Sequence, residues 1–266
     1  MMKKALIFLS FLLVFSTDAF TETRCFLLKE NNKIIKQEGE CQTRYAPESS
    51  FKIALSLMGY DAGILQDEMH PEWPFKEGYD FFINVCKGSH NPKTWVRDSC
   101  AWYSQVLTRK LGMEQFKKYV IQFNYGNQDV SGDKDKNNGL SNAWLSSSLE
   151  ISPEEQTTFL QKLVDNKLPV SAKSREMTEK LIYIQELPGG WKLYGKTGNG
   201  RLLNPDRTQK LELQHGWFVG WIEKNGRVIL FANHIVDDKK QDTFASFRAR
   251  NEALIKLWYF INSLES

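Results

Sequence analysis

Strand-like sequence occupies both ends of this chain and helical sequence fills the space between, which limits the ways its apolar residues can be buried together. Near the start, Phe26-Leu27-Leu28 and Ile34-Ile35 flank Glu30-Asn31-Asn32, a hairpin pattern. In the last third, Trp191–Tyr194 reads as a strand, and Trp217–Ile222 and Val228–Ala232 are apolar runs joined at Asn225-Gly226. That dipeptide tolerates the positive φ values a two-residue hairpin turn demands. Between the ends, Phe51, Leu55 and Met58 recur at helical spacing within Ser49–Met58, and Trp102–Leu111 and Met113–Phe123 are two further helix candidates. Ser152-Pro153-Glu154-Glu155 opens another, with a capping box and a proline at the first helical position. A polar loop runs from Asn127 to Asn138, and Phe244, Phe247, Leu254, Leu257, Trp258 and Ile261 mark a final helix. The expected fold class is α/β of the α+β kind: a central antiparallel sheet of N- and C-terminal strands flanked by helices, with an inserted, mainly helical subdomain. The α/β part covers about residues 20–60 and 181–266, and the helical part about 61–180.

Residues 1–19 stand apart. Lys3 and Lys4 precede the apolar run Ala5–Phe15, and Thr17-Asp18-Ala19 offers small residues at the positions a signal peptidase reads. This is the pattern of a secretory signal peptide cleaved after Ala19, and the apolar run is short for a membrane anchor. The expected location is periplasmic or secreted. Of the 266 residues, 35 are Lys or Arg and 32 Asp or Glu, a net charge of +3 that gives no argument for nucleic acid or for stable membrane association. Four cysteines are compatible with disulfides in an oxidising compartment. Cys25 and Cys41 flank the N-terminal hairpin and are placed to pair, with the register left open, whereas Cys86 and Cys100 read as buried thiols. With no C-x-x-C, no H-E-x-x-H and four scattered histidines (His70, His90, His215, His234), no metal site is expected.

Ser49-Ser50-Phe51-Lys52 is an S-x-x-K. On a helix, positions i and i+3 share a face, so the Lys52 amine is within reach of the Ser49 hydroxyl. A serine becomes a strong nucleophile only when a base takes its proton, and lysine is a base only when burial makes it neutral. The motif is weak alone. Ser131-Gly132-Asp133-Lys134 repeats it in a polar loop, and Ser49 is also a reasonable helix cap. The weighting changes with Lys196-Thr197-Gly198, the only K-T-G in the chain, after a predicted strand. S-x-x-K followed by K-T-G is the signature pair of penicillin-recognising serine enzymes. A strand ending in Gly would let a flat acyl substrate lie against the backbone, with Lys196 and Thr197 facing its carboxylate.

Further segments make the chain resemble a class D β-lactamase, an oxacillinase, over essentially its whole mature length. Pro47–Lys52 is similar to the family's P-x-S-T-F-K, with Ser50 in place of Thr; Ser99-Cys100-Ala101 lies where the family has Ser-x-Val. Tyr125-Gly126-Asn127 matches its Y-G-N, Trp144-Leu145 its W-L, Gly216–Trp221 its G-W-x-x-G strand, and Arg248 its carboxylate-binding arginine. The resemblance implies that Ser49 is acylated and that Lys52, N-carboxylated by carbon dioxide, is the general base of both half-reactions. It further implies that Ser99 relays protons, that Trp144 donates its indole N–H to the carbamate, and that Leu145 lines the acyl pocket. Lys196, Thr197 and Arg248 then hold the substrate carboxylate, Tyr125, Asn127 and Gly198 border the substrate, and the backbone N–H groups of Ser49 and Asn199 form the oxyanion hole. No cofactor is expected beyond the carbon dioxide or bicarbonate that modifies Lys52. Carbon dioxide reacts only with a neutral amine, and the resulting anion needs donors such as an indole N–H, which has no acceptor capacity.

Taken singly, each residue has an ordinary structural use: Trp144 as core, Tyr125 and Asn127 as turn residues, Ser99 as a helix cap, Arg248 in a surface ion pair. Their shared order along the chain favours the functional set. Ala101, smaller than the family's valine, is expected to leave room for solvent beside Lys52 unless Trp102 or another bulky group fills it. Two other activities share the motifs. One is a β-lactam sensor that acylates without turnover; the other is a D,D-peptidase, whose middle motif is usually S-x-N, unlike Ser99-Cys100-Ala101.

Overall fold

The structure, a computed structural model, describes residues 23–265; the expected signal peptide lies outside them. Strands β1 (Thr23–Glu30) and β2 (Lys33–Gly39) form the N-terminal hairpin. The helical region follows: α1 (Lys52–Asp61), α2 (Pro92–Asp98), α3 (Ala101–Phe123), the short α4 (Gly139–Asn142), α5 (Pro153–Val164) and α6 (Ala172–Ile182). The chain then returns as β3 (Tyr183–Leu187), β4 (Trp191–Leu203), β5 (Lys210–Lys224) and β6 (Arg227–Val236), and closes with α7 (Ala245–Glu265). All six strands join one antiparallel sheet in the order β2-β1-β6-β5-β4-β3. The two ends of the sequence meet where β1 pairs with β6, Phe26 opposite Asn233. Asn225 and Gly226 make the β5–β6 turn with φ of 51° and 78°, the two left-handed residues that such a turn needs.

The sheet is buried on both faces, which is why β5 reads as a continuous apolar run and not as an alternation. Trp217, Val219 and Trp221 pack toward the helical region, and Phe218 and Ile222 pack the other way, against α7. On α7, Ala249, Ala253 and Leu257 recur every four residues and face Phe26, Leu28 and Phe231.

The helical middle is less regular than expected: residues 62–91 contain no α-helix, only a 3-10 turn at Asn84–Lys87 and an isolated antiparallel bridge between Trp73 and His90. The two helices expected on either side of Gly112 form one span interrupted there, at φ 74° and ψ 160°, a conformation open to glycine. Helix α5 starts as its sequence indicated, Ser152 Oγ accepting from Glu155 N and a Glu155 carboxylate oxygen accepting from Ser152 N. Cys25 and Cys41 are disulfide-bonded. The expectation of buried thiols at Cys86 and Cys100 is corrected, because they too form a disulfide. Helix α2 turns the chain back between them, and the Trp102 indole donates to Cys86 O at 2.8 Å.

Candidate active site

The nucleophile candidate sits at the entrance of α1. Residues Glu48–Phe51 form one 3-10 turn that runs directly into the helix at Lys52. The turn is pinned by Ser50, whose backbone N–H and hydroxyl both donate to Pro47 O, and whose hydroxyl also accepts from Gln156 Nε2. One turn on, Lys52 Nζ lies 3.0 Å from Ser49 Oγ. Ser49 is partly exposed, whereas Lys52 is 0% exposed. Burial drives the Lys52 amine well below its ordinary range, the positive charge of Lys196 pushes the same way, and the Glu48 carboxylate opposes both. A neutral amine facing a solvent-touching hydroxyl is what proton abstraction requires.

Lys196 is the second buried amine. It lies inside β4 and not after its end, so the expected strand exit is corrected: Lys196, Thr197 and Gly198 pair with Val219, Phe218 and Trp217 of β5. The open edge arises differently. β3 pairs with β4 only as far as Tyr194, so beyond it, among the described residues, β5 is the only strand beside β4. Gly198 is required there for closeness, since a Cβ would fall 2.7 Å from Pro47 O and 3.1 Å from Ser50 N. The absent side chain lets the β4 backbone come against the nucleophile turn. Lys196 Nζ lies 2.5 Å from Ser99 Oγ and 3.3 Å from Thr197 Oγ1. Burial, with the charge of Arg250 on α7, lowers its pKa to about 7. Ser99 takes a left-handed conformation (φ 60°) at the end of α2, which carries the chain round from α2 into α3.

Trp144 is fully buried against Phe51 and Phe116, and its indole N–H has no hydrogen-bond partner. A buried donor left unmatched is uncommon and calls for an acceptor. Leu145, beside it, is buried in the same core, and its carbonyl accepts from Lys210 Nζ. Lys52 has no exposed surface despite the small Ala101, so the expected opening to solvent is absent, and Trp102 is itself buried, its indole committed to Cys86 O.

Three expected substrate contacts have other partners. Tyr125 is 1% exposed, its ring edge-on to Phe51 and Phe159, so it is a core residue behind the nucleophile turn. Asn127 spends both ends of its amide on the loop, donating to Ser148 O and accepting from Asp129 N and Glu150 N. Arg248 is ion-paired with the buried Asp237 at 2.6 Å; Arg250, two residues on, is the arginine whose charge reaches Lys196. The Asn199 side chain accepts from Ser246 N at the start of α7 and donates to Gln214, which fixes the β4 backbone at that point. Sequence reasoning also missed Glu48, Ser146 and His215, which meet beside the nucleophile (Ser146 Oγ to Glu48 Oε1 2.7 Å, His215 Nε2 to Glu48 Oε1 3.6 Å). The one available signal was a carboxylate directly preceding the S-x-x-K.

Comparison with known proteins agrees with this arrangement. The penicillin-binding-protein transpeptidase domain matches residues 25–257. Beta-lactamase OXA-9 of Klebsiella pneumoniae is 40% identical over 95% of this chain and 94% of its own. Beta-lactamase OXA-1 of Escherichia coli is 42% identical over 86% of this chain and 82% of its own. The chain belongs to the class D β-lactamases. The crystal structure of the class D β-lactamase OXA-427 superposes with a TM-score of 0.86 at 42% identity, covering 91% of this chain and all of that one. Regulatory protein BlaR1 of Bacillus licheniformis is more distant, 30% identical over 84% of this chain, which spans 35% of its length. As a class D β-lactamase the chain is a serine hydrolase of cyclic amides, with the Ser49–Lys52 and Lys196–Ser99 pairs where β4 extends beyond its pairing with β3.

Proposed function

We propose that this class D β-lactamase is exported, opens the β-lactam ring of penicillin-type antibiotics through an acyl-enzyme on Ser49, and so confers resistance to them. The observation that carries the reading is the Lys52 amine, without solvent contact and 3.0 Å from Ser49 Oγ. As Ser49 Oγ bonds to the lactam carbonyl carbon, its proton passes to the base at Lys52. The carbonyl oxygen, negative at that moment, faces the backbone N–H groups of Ser49 and Asn199, a donor pair of the kind whose loss costs about 10²–10³ in rate. The ring C–N bond breaks, and the nitrogen takes a proton through Ser99, which Lys196 holds at 2.5 Å. Thr197, Lys196 and a nearby arginine attract the substrate carboxylate; Arg250 is nearer to Lys196 in effect than Arg248.

N-carboxylation of Lys52 would leave an anionic base beside the ester for the water of the second half-reaction. The residues fit such a group: a desolvated amine to receive carbon dioxide and the unmatched Trp144 N–H to donate to the product. Export rests on the leader pattern of residues 1–19, with support from the two disulfides, which suit an oxidising compartment. No helix among the described residues is long and apolar enough to cross a membrane.

Intact mass and turnover with a chromogenic cephalosporin test the reading on wild type and Lys52→Ala. The wild type is expected to turn over continuously, and the variant to remain unacylated or to hold the acyl group. Wild-type enzyme that takes up one equivalent and stops is a sensor, and the proposed hydrolysis would be wrong.

A further inference from the structure

The residue directly before the nucleophile is a buried carboxylate that no step above uses. Glu48 is 4% exposed and holds a left-handed backbone conformation (φ 53°), which is strained for a residue with a Cβ. Its backbone N–H donates to Trp144 O at 2.9 Å. Its carboxylate accepts from Ser146 Oγ at 2.7 Å, and Ser146, also left-handed (φ 51°), accepts in turn from Arg201 N on β4 at 3.0 Å. His215 of β5 stands 3.6 Å away, backed by His234 of β6 at 3.2 Å from its other ring nitrogen. The carboxylate also rests on β4 itself, since a Cβ on Gly200 would fall 2.2 Å from Glu48 Oε1.

Three separate parts of the chain (the Ser146 loop, β4 and β5) therefore converge on one side chain. The residues next to its two anchor points are Ser49, following Glu48, and Asn199, preceding Gly200. We propose that Glu48 is a positioning residue for acylation, its buried carboxylate locking the Ser49 turn to β4 and to the Trp144–Ser146 loop so that the Ser49 and Asn199 backbone donors stay at a fixed separation. The inference rests on the reading of Ser49 as nucleophile. The same carboxylate is a charge in the catalytic pocket. Lys52 faces Lys196 from β4 and Glu48 from the nucleophile turn, and Lys196 faces Arg250 from α7. Glu48 itself faces His215, and burial together with His215 pushes the proton off His234, so that ring stays neutral. Of these groups, only Glu48 helps Lys52 keep its proton.

The test is the pH profile of kcat and KM for Glu48→Ala and Glu48→Gln with a chromogenic cephalosporin. Displacement of reacting groups by about 1 Å typically costs about 10² in rate, so Glu48→Ala is expected to lose about 100-fold, mostly in kcat. Glu48→Gln still accepts from Ser146 and is expected within about fivefold of wild type at its plateau. With the carboxylate charge gone, its acid limb shifts to lower pH, leaving it at least about twofold more active at pH 5.5, relative to its own plateau, than wild type. Glu48→Ala within twofold of wild type overturns the proposal, as does Glu48→Gln as impaired as Glu48→Ala, or acid limbs that superimpose. If Glu48→Ala does not fold, the Glu48→Gln profile decides alone. Ser49→Ala, run in parallel, separates the two failures: turnover surviving there removes the nucleophile and this inference with it, whereas turnover lost there beside an unimpaired Glu48→Ala removes the inference only.

Discussion

The two faces of the sheet are built to opposite rules. Under α7 the core is apolar, with Phe26, Leu28, Phe218 and Phe231 meeting Ala249, Ala253 and Leu257, and the polar contacts there are structural, such as Asn233 Nδ2 donating to Ala249 O at 2.7 Å. The other face also holds a large apolar core, but beside β4 it carries two buried amines and left-handed backbone at Glu48, Ser99 and Ser146. Each of those features costs folding free energy. The apolar core under α7 supplies stability, with Arg250 and Ser246 of that helix reaching the site, and the catalytic region is a local deficit that the rest of the core offsets. Natural active sites commonly trade stability for preorganised groups in this way.

Removing one of the buried amines should invert the usual result of mutation. Lys196→Met is expected to lower kcat/KM by about 10²–10³ through loss of the group that holds Ser99, and to raise the thermal midpoint at pH 7. In the folded protein the Lys196 pKa is about 7, against an ordinary 10.5, so between those values the unfolded chain binds more protons than the native one. Wild-type stability therefore rises with pH across that window, and the advantage of the methionine variant is greatest at and below pH 7 and disappears near pH 10.5. Melting curves at pH 7 and 10 measure this; a variant less stable at pH 7, or an advantage that grows with pH, contradicts it.

The converse substitution on the other face is Leu257→Ala. Leu257 has no exposed surface and packs on the sheet, and a cavity there should cost about 3–5 kcal/mol in urea unfolding. Measured below its melting temperature, its kcat should stay within about twofold of wild type. A tenfold loss in the folded variant would mean that the two faces are coupled, and the contrast between them would be lost.

How far the sequence reveals each region follows from how each is built. The sheet and α7 depend on local signals, the Asn225-Gly226 turn and apolar residues at helical spacing, and these read correctly. Ser49 and Lys52 are legible because one helical turn brings them together. The Glu48–Ser146–His215 group is not, because its members lie on three separated segments and meet only through the tertiary fold. The same holds for Cys86 and Cys100, joined by the reversal that α2 makes between them. Tyr125 and Asn127 have the look of substrate residues, but Y-G-N serves here as a turn: Gly126 sits at φ 53°, where a Cβ would fall 2.0 Å from Glu150 O. Arg248 and Arg250 are two residues apart on one helix, hence about 200° apart around it, so position alone did not show which faces Lys196.

The smallest expected effect is also the most specific to the chemistry proposed for Lys52. Trp144→Phe keeps an aromatic ring against Phe51 and Phe116 and removes an indole N–H that has no partner. If that N–H were only packed, its loss would relieve an unmatched donor, and turnover would be unchanged or slightly better. If it steadies the carboxylated form of Lys52, the variant should turn over about three- to tenfold more slowly in degassed buffer, the net size of one ordinary hydrogen bond, and recover on adding bicarbonate. Wild type, whose Lys52 is sealed from solvent, should respond to bicarbonate by less than about twofold at the same pH. Carbon-13 NMR with labelled bicarbonate reports the carbamate carbon directly and separates loss of the modification from a repacked core. A phenylalanine variant that matches wild type with and without bicarbonate would assign Trp144 to packing and leave the base as the bare Lys52 amine.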